Sequence, residues 1–103
     1  RLEGEPGGDT AFGPSFGTAR PNPSAARVSI PFALAAPGPV EVEVVDVLGR
    51  VVRRVLEDDL EAGSHLAEWD GSDESGGAVA AGVYLIRLRS DLGTAVTRVT
   101  RLR

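Results

Sequence analysis

The chain has 103 residues, which is enough for one small domain and no more. It contains no cysteine, which excludes disulfide bonds and thiolate chemistry, and no apolar run long enough to span a bilayer. Its net charge of −4 disfavours nucleic acid as a partner.

The first twenty residues are typical of a linker. Glycine and proline recur there with little hydrophobic periodicity, and the acidic, glycine-rich start does not resemble a signal peptide. We therefore expect residues 1–20 to be a flexible linker from an upstream part of the protein, which would carry any signal. Phe16 is apolar in this setting, and we expect it to dock partly on the edge of the domain.

Two stretches of alternating apolar residues come next and predict strands. Val28 to Leu34 forms the first, and Pro31 within it lacks a backbone donor, which favours an edge strand or a bulge. Val40 to Val45 forms the second, in which two adjacent valines break the alternation and favour a bulge. We expect the ordered domain to begin at Pro21 and to include residues 21–103.

A tight hairpin is predicted between Asp46 and Gly49, with the glycine at a position that favours positive φ. The return strand runs from Arg50 to Leu56. The acidic residues 57–63 are then expected to form a connection.

The segment from Ala62 to Tyr84 contains the only Trp and the only Tyr. His65, Ala67 and Trp69 alternate, so in a strand they share one face. Gly71 is expected to end this strand at positive φ. Tyr84 begins the buried face of the next strand, so both aromatic side chains are expected to point into the core.

The last predicted element is a hairpin made of residues 82–90 and 94–102, turned at Asp91-Leu92-Gly93. Turn signals recur at intervals of about 8–12 residues, and no segment is periodic enough for a stable helix. The sequence therefore predicts an all-β protein, an Ig-like β-sandwich of about seven antiparallel strands.

The residues that could carry chemistry are few. His65 is the only histidine and lies on an apolar face, where a packed and hydrogen-bonded role is expected. Asp70, Asp73 and Glu74 lie on one loop and are candidates for a Ca²⁺ site, although acids in turns usually cap their own backbone. We expect no catalytic residues, no enzyme activity and no cofactor.

The charges are unevenly distributed. Residues 57–74 contain eight acidic residues and no arginine, whereas residues 83–103 contain five arginines and one acidic residue. One interpretation of the absence of lysine is a GC-rich coding sequence. The alternative is an arginine-lined terminal hairpin that recognises an acidic partner, through Arg87, Arg89, Arg98, Arg101 and Arg103.

Six short motifs occur in an order that resembles a known family. They are Pro21-Asn22-Pro23, Ile30 to Leu34, Val44 to Arg50 with its Asp46 and Gly49, Gly63-Ser64-His65, Trp69-Asp70-Gly71, and Gly82-Val83-Tyr84. In this order they resemble the C-terminal sorting domains of the type IX secretion system, and the related Ig-like module of flagellar hook-capping proteins. Val45 departs from the pattern, which has tyrosine at that position.

The resemblance to sorting domains implies a secretion signal that directs an upstream cargo domain across the outer membrane of a Bacteroidota-type bacterium. The implied partners are the outer-membrane translocon, which would recognise the terminal hairpin, and a sortase-like peptidase. The implied location is the cell surface or the medium, reached through the periplasm. Two alternatives stay open: a structural module of the hook-capping type, and a carbohydrate-binding accessory module.

Overall fold

The computed structural model of the chain describes residues 13–102, which form seven strands in two antiparallel sheets. The strands are β1 (Ser15–Phe16), β2 (Val28–Leu34), β3 (Gly38–Val45), β4 (Val51–Leu60), β5 (Gly63–Trp69), β6 (Gly82–Ser90) and β7 (Gly93–Arg101). One sheet has the order β1-β2-β5 and the other β4-β3-β6-β7. The predicted all-β sandwich is confirmed. Within residues 13–102, no helix is long and apolar enough to cross a membrane.

The core lies between the two sheets and is filled by alternate residues of each strand. In β2 every second residue from Val28 to Leu34 is buried, and in β6 the buried residues are Tyr84, Ile86 and Leu88. Because successive side chains of a strand point to opposite faces, this alternation gives each sheet one apolar face. Removing these apolar faces from water is the main force that holds the sheets together.

Trp69 and Tyr84 meet at one end of the core. Their rings are in edge-to-face contact, with centroids 5.5 Å apart, and Trp69 is only 1% exposed. The indole Nε1 donates to the carbonyl oxygen of Ser72 at 2.9 Å, and the Tyr84 hydroxyl donates to that of Ala80 at 2.7 Å. Both aromatic side chains therefore hold the loop that joins β5 to β6, as well as the core.

Arg101 covers the Trp69 ring from the end of β7. Its guanidinium lies 5.3 Å from the ring centroid, within the range of a cation–π interaction. It donates to the Ser24 hydroxyl at 3.0 Å and to the Ala26 carbonyl, and the residue is 7% exposed. Gly71 lies directly against this guanidinium, so that a Cβ at position 71 would overlap it.

The ordered fold begins before Pro21, the predicted boundary. Phe16 pairs with Phe32 of β2, Ala19 is buried, and Arg20 exchanges backbone hydrogen bonds with Ser29. The docking of Phe16 agrees with expectation, whereas residues 17–20 are part of the sheet edge and not a linker. Residues 1–12 of the predicted linker lie outside the described residues.

The strand with Pro31 is the middle strand of its sheet and not an edge. The Pro31 carbonyl accepts a bond from the Gly17 amide at 2.8 Å, on the side of β1. In an antiparallel strand the nitrogen of the same residue points to the same side. The missing donor therefore faces Gly17, just past the end of β1, so the proline costs one bond on that side and leaves the β2–β5 ladder intact.

Strand β4 is longer than predicted. Residues 57–60, expected to belong to a connection, pair with residues 38–41 of β3. The pairing shifts register between Val44 and Val45, where a bulge was predicted, and again between Val42 and Glu43. Acidic side chains do not prevent pairing here because β4 is at the edge of its sheet, where charges stay in water.

Replacing Gly71 by alanine tests the contact with Arg101, and Gly49 is the matched control. Both residues have positive φ, at 84° and 86°, but no atom lies within 4 Å of a Cβ at Gly49. We expect Gly49→Ala to cost about 1–2 kcal/mol through backbone strain alone. Gly71→Ala should cost about 2 kcal/mol more, because the guanidinium must leave Trp69 and its two acceptors. Equal losses of unfolding free energy in urea would show that the contact between Gly71 and Arg101 adds nothing to the cost.

Candidate functional site

Charged side chains are concentrated on the outer face of the four-stranded sheet, which is the face turned away from the core. Glu43 is directly opposite Arg87, and Glu41 is opposite Arg89, on the neighbouring strands β3 and β6. These residues have the parity opposite to the buried Val42, Val44, Ile86 and Leu88. Cross-strand alternation therefore brings the acids and the arginines together.

Glu43 is the centre of this group. One carboxylate oxygen accepts from Arg87 at 2.7 Å and from Arg89 at 3.1 Å, and the other accepts from Arg54 of β4 at 3.3 Å. Glu41 completes the group, with oxygens 2.9 Å from Arg89 and 2.8 Å from Arg54. We call these five residues the Arg–Glu cluster. Its three guanidiniums cover Glu43 so well that the residue is 2% exposed.

The pKa of Glu43 reflects two opposing effects. Burial alone would raise this pKa, but hydrogen bonds from Arg87 and Arg54 and the charge of Arg89 lower it below its ordinary value. The lowering prevails, so Glu43 is ionised at neutral pH. A buried carboxylate with three cationic neighbours holds three strands together at one point.

The five arginines predicted to recognise a partner are in different environments. Arg87 and Arg89 are on the outer face as expected, but each donates to an acid of the cluster. Arg98 is also on the outer face, opposite Leu85, and forms no ion pair with any carboxylate of residues 13–102. Arg101 is buried, and Arg103 lies outside the described residues.

The expected row of exposed arginines along β7 is therefore not present. Residues 98 and 101 are separated by an odd number of positions, which places them on opposite faces of a strand. Only the β7 side of this hairpin is an edge of the sheet, because β6 pairs with β3 on its other side. A role of these arginines in recognition stays a prediction.

The three candidate Ca²⁺ ligands serve separate roles. Asp70 accepts from the Ser72 amide and hydroxyl, and Asp73 accepts from the amides of Ser75 and Gly77. Glu74 reaches across to the backbone amide of Arg54, at 2.5 Å. The structure does not bring the three carboxylates together, and residues 13–102 contain no group of three side chains able to hold a metal ion. Local capping explains Asp70 and Asp73 instead, and Glu74 holds the edge of β4.

His65 and Asp46, two residues of the sequence motifs, have structural roles. The His65 ring stacks on Phe32, with centroids 5.4 Å apart, and its Nε2 is 2.7 Å from the carbonyl oxygen of Glu61. Asp46 accepts from the amides of Leu48 and Arg50 and so fixes the β3–β4 hairpin. The motif glycines Gly49, Gly63, Gly71 and Gly82 all have positive φ.

Asn22, in the Pro21-Asn22-Pro23 motif, has a role that the sequence did not reveal. Its side-chain amide donates to the Arg98 carbonyl at 3.1 Å and accepts from the Thr100 amide at 3.0 Å. Ser24 continues the contact through backbone bonds with Thr100 and Leu102, in a parallel bridge. The segment 22–24 therefore closes the outer edge of β7 over its last residues.

Within residues 13–102, the first residues of β7 make no such hydrogen bonds, although Gly13 and Pro14 lie beside Leu92 and Gly93 at the preceding turn. Backbone groups of Arg98, Thr100 and Leu102 point towards Asn22 and Ser24, so by alternation those of Thr94 and Val96 point to the same side. β7 is the last strand of its sheet within the described part of the chain. Val96 is 55% exposed and lies opposite Arg87 of the cluster.

Comparisons with known proteins identify a related module. The family model described as FlgD Ig-like domain matches residues 18–93, which include strands β2 to β6. The structure is similar to FlgD from P. aeruginosa, with 26% identity and a TM-score of 0.55 over 88% of this chain and 69% of that chain. No curated protein sequence matches the chain.

A second similar structure is FlgD from Xanthomonas campestris, studied for the hook capping essential for flagellar assembly. It has 23% identity and a TM-score of 0.59 over 90% of this chain and 70% of that chain, a likeness that shows the fold alone. These findings confirm the Ig-like sandwich and the resemblance to the hook-capping module. They give no support to the resemblance to type IX sorting domains.

Replacing Glu43 by glutamine tests the Arg–Glu cluster. A lowered pKa in the folded state means that ionised Glu43 contributes stability above its unfolded pKa, and that this contribution disappears as the pH falls through the folded value. We expect Glu43→Gln to lose about 1–3 kcal/mol at pH 7 and to show a shallower loss of stability on acidification.

Glu61→Gln is the control, because the Glu61 side chain is exposed on the connection before β5. We expect it to change the free energy of unfolding by less than about 0.5 kcal/mol. The measurement is denaturant unfolding of both variants between pH 7 and pH 3. A Glu43→Gln profile parallel to that of the unsubstituted chain would show that Glu43 does not titrate against the cluster.

Proposed function

Because this chain belongs to the FlgD Ig-like domain family, we propose that it is a non-catalytic structural module of the hook-capping type. The observation that carries the proposal is the match over residues 18–93, which includes strands of both sheets, β2 to β6, and the loop between β5 and β6. In this role the domain is a rigid body that offers sheet faces and strand edges to neighbouring subunits of an assembly.

The use of the reactive side chains supports a role without catalysis. His65 is stacked and hydrogen-bonded, and the aspartates 70 and 73 cap their own turns. Trp69 is buried, so it is unavailable as a platform for a sugar ring, which weakens the carbohydrate-binding alternative. The groups that could do chemistry are thus used to fix the positions of loops.

Rigidity is the property that such a module needs, and it has identifiable causes. The Arg–Glu cluster joins β4, β3 and β6 on the outer face, while the Trp69–Tyr84 pair and Arg101 fix one end of the core. A surface that is fixed before binding loses less conformational entropy when a partner docks. Family membership and rigidity together favour an architectural role.

A chimera tests the hook-capping type. The chain would replace the Ig-like domain of P. aeruginosa FlgD in a strain that lacks its own FlgD. We expect hooks by electron microscopy and at least partial recovery of swimming. The same chimera with Trp69→Ala should fail, because removing a buried aromatic costs about 3–5 kcal/mol. A chimera that accumulates in folded form and yields no hooks would reject the proposal.

A type IX sorting signal is the second candidate, favoured by one observation. The β6–β7 hairpin turns at Asp91 and Leu92, where the sequence predicted a turn, and it carries Arg98 on its outer face. In this case an upstream cargo domain would pass through the periplasm to the outer-membrane translocon. A sortase-like peptidase would then process it at the cell surface.

Fusion of the whole chain behind a signal peptide and a reporter separates the two candidates. In a host with the type IX machinery, the hook-capping proposal expects the reporter to remain in the periplasm. Display of the reporter on the cell surface would instead favour the sorting signal. The control is the same fusion with Arg98→Glu. If Arg98 takes part in recognition, reversing its charge should reduce display of the reporter.

A further inference from the structure

The two edges of the four-stranded sheet are protected to different degrees. The β4 edge carries Glu57, Asp58 and Asp59, and Glu74 occupies the Arg54 amide. Charges of this kind discourage another chain from pairing with an edge. On the opposite edge, the segment 22–24 closes β7 only from Arg98 onwards.

The open part of β7 is suited to pair with another strand. Residues 94–97 read Thr-Ala-Val-Thr, with no charged residue and three β-branched side chains that favour extended backbone. The backbone groups of Thr94 and Val96 and the amide of Arg98 face outwards and have no hydrogen-bond partner among residues 13–102. Together they present a short ladder with alternating donors and acceptors.

The side chains beside this edge determine what would fit. On the outer face, Val96 is exposed, and Arg98 follows two positions later without a carboxylate partner within the described residues. The Arg–Glu cluster beside them has three arginines and two glutamates, and Arg98 adds a positive charge on the β7 side, whereas the further acids of this face, Glu57 and Asp59, lie on β4 at the opposite edge. A strand paired with this edge would meet the apolar side chain of Val96 and the positive charge of Arg98, which lie two residues apart on the same face.

We propose that the edge of β7 from Thr94 to Arg98 is a docking site for an extended segment of a partner protein, added as a fifth strand. The segment carries an acidic residue opposite Arg98 and a β-branched apolar residue two positions away, opposite Val96. Backbone hydrogen bonds hold the segment on the edge, and the charge of Arg98 and the apolar contact with Val96 select its sequence. This inference rests on the proposed function, since it names the contact through which the module meets a neighbouring subunit.

The test uses the full 103-residue chain, labelled with ¹⁵N, and a blocked heptapeptide, TETVTET, as the probe. We expect peptide-dependent shifts of the Thr94, Val96 and Arg98 amide signals and slower hydrogen exchange at these three positions. The control peptide TKTVTKT should bind at least about ten-fold more weakly, because its lysines face Arg98. A peptide that shifts signals of residues 56–60 instead would overturn the assignment to β7.

Two substitutions test the edge itself. Val96→Pro removes the outward-facing amide hydrogen, which makes no bond to β6, and should abolish binding, while Val96→Thr retains the amide and should retain binding. Arg98→Glu should reverse the preference between the two peptides. Binding unaffected by Val96→Pro would overturn the proposal, and so would slow exchange of the Thr94 and Val96 amides in the chain alone. None of these outcomes depends on hook assembly, so the chimera remains a separate test.

Discussion

The contact between Trp69, Tyr84 and Arg101 is the interaction on which the rest of the structure depends. It joins strands β5, β6 and β7, which belong to different sheets, and it holds the loop between β5 and β6 through two carbonyl oxygens. A small sandwich with so few aromatic residues has little other means of fixing one sheet on the other. Arg101 adds Ser24 to the same contact, so the segment before β2 is anchored there as well.

The Arg–Glu cluster has a different role, because a buried ion pair is weak evidence for stability. The cluster instead favours one pairing register between β3 and β6. A slip of β3 by one residue relative to β6 would turn Glu43 into the apolar core and Val44 out to water. Glu43 therefore penalises every odd shift of this strand pair. Even shifts would separate it from Arg87, which is directly opposite in the native register.

The sequence predicted the local features of the fold better than its pairings. Alternation located the strands, and the rare aromatic residues located the core, because both signals are contained within a few neighbouring residues. The position of Pro31 in a middle strand was not predictable, since it depends on where β1 ends in space. The Arg–Glu cluster was missed for the same reason: Glu43 and Arg87 are 44 residues apart, and only the β3–β6 register makes them partners. The burial of Arg101 could have been predicted from its position alone, because residues three positions apart in a strand, such as 98 and 101, point to opposite faces.

The bridge between segment 22–24 and the end of β7 determines how the domain responds to tension. Ser24, which precedes β2, and Arg101, the last residue of β7, pair in parallel. A pull applied to the two ends of the chain drives such parallel neighbours past each other, so the Ser24 and Asn22 bonds are strained together and not one after another. Under such a pull the domain would therefore transmit force through this bridge while the sandwich behind it keeps its shape.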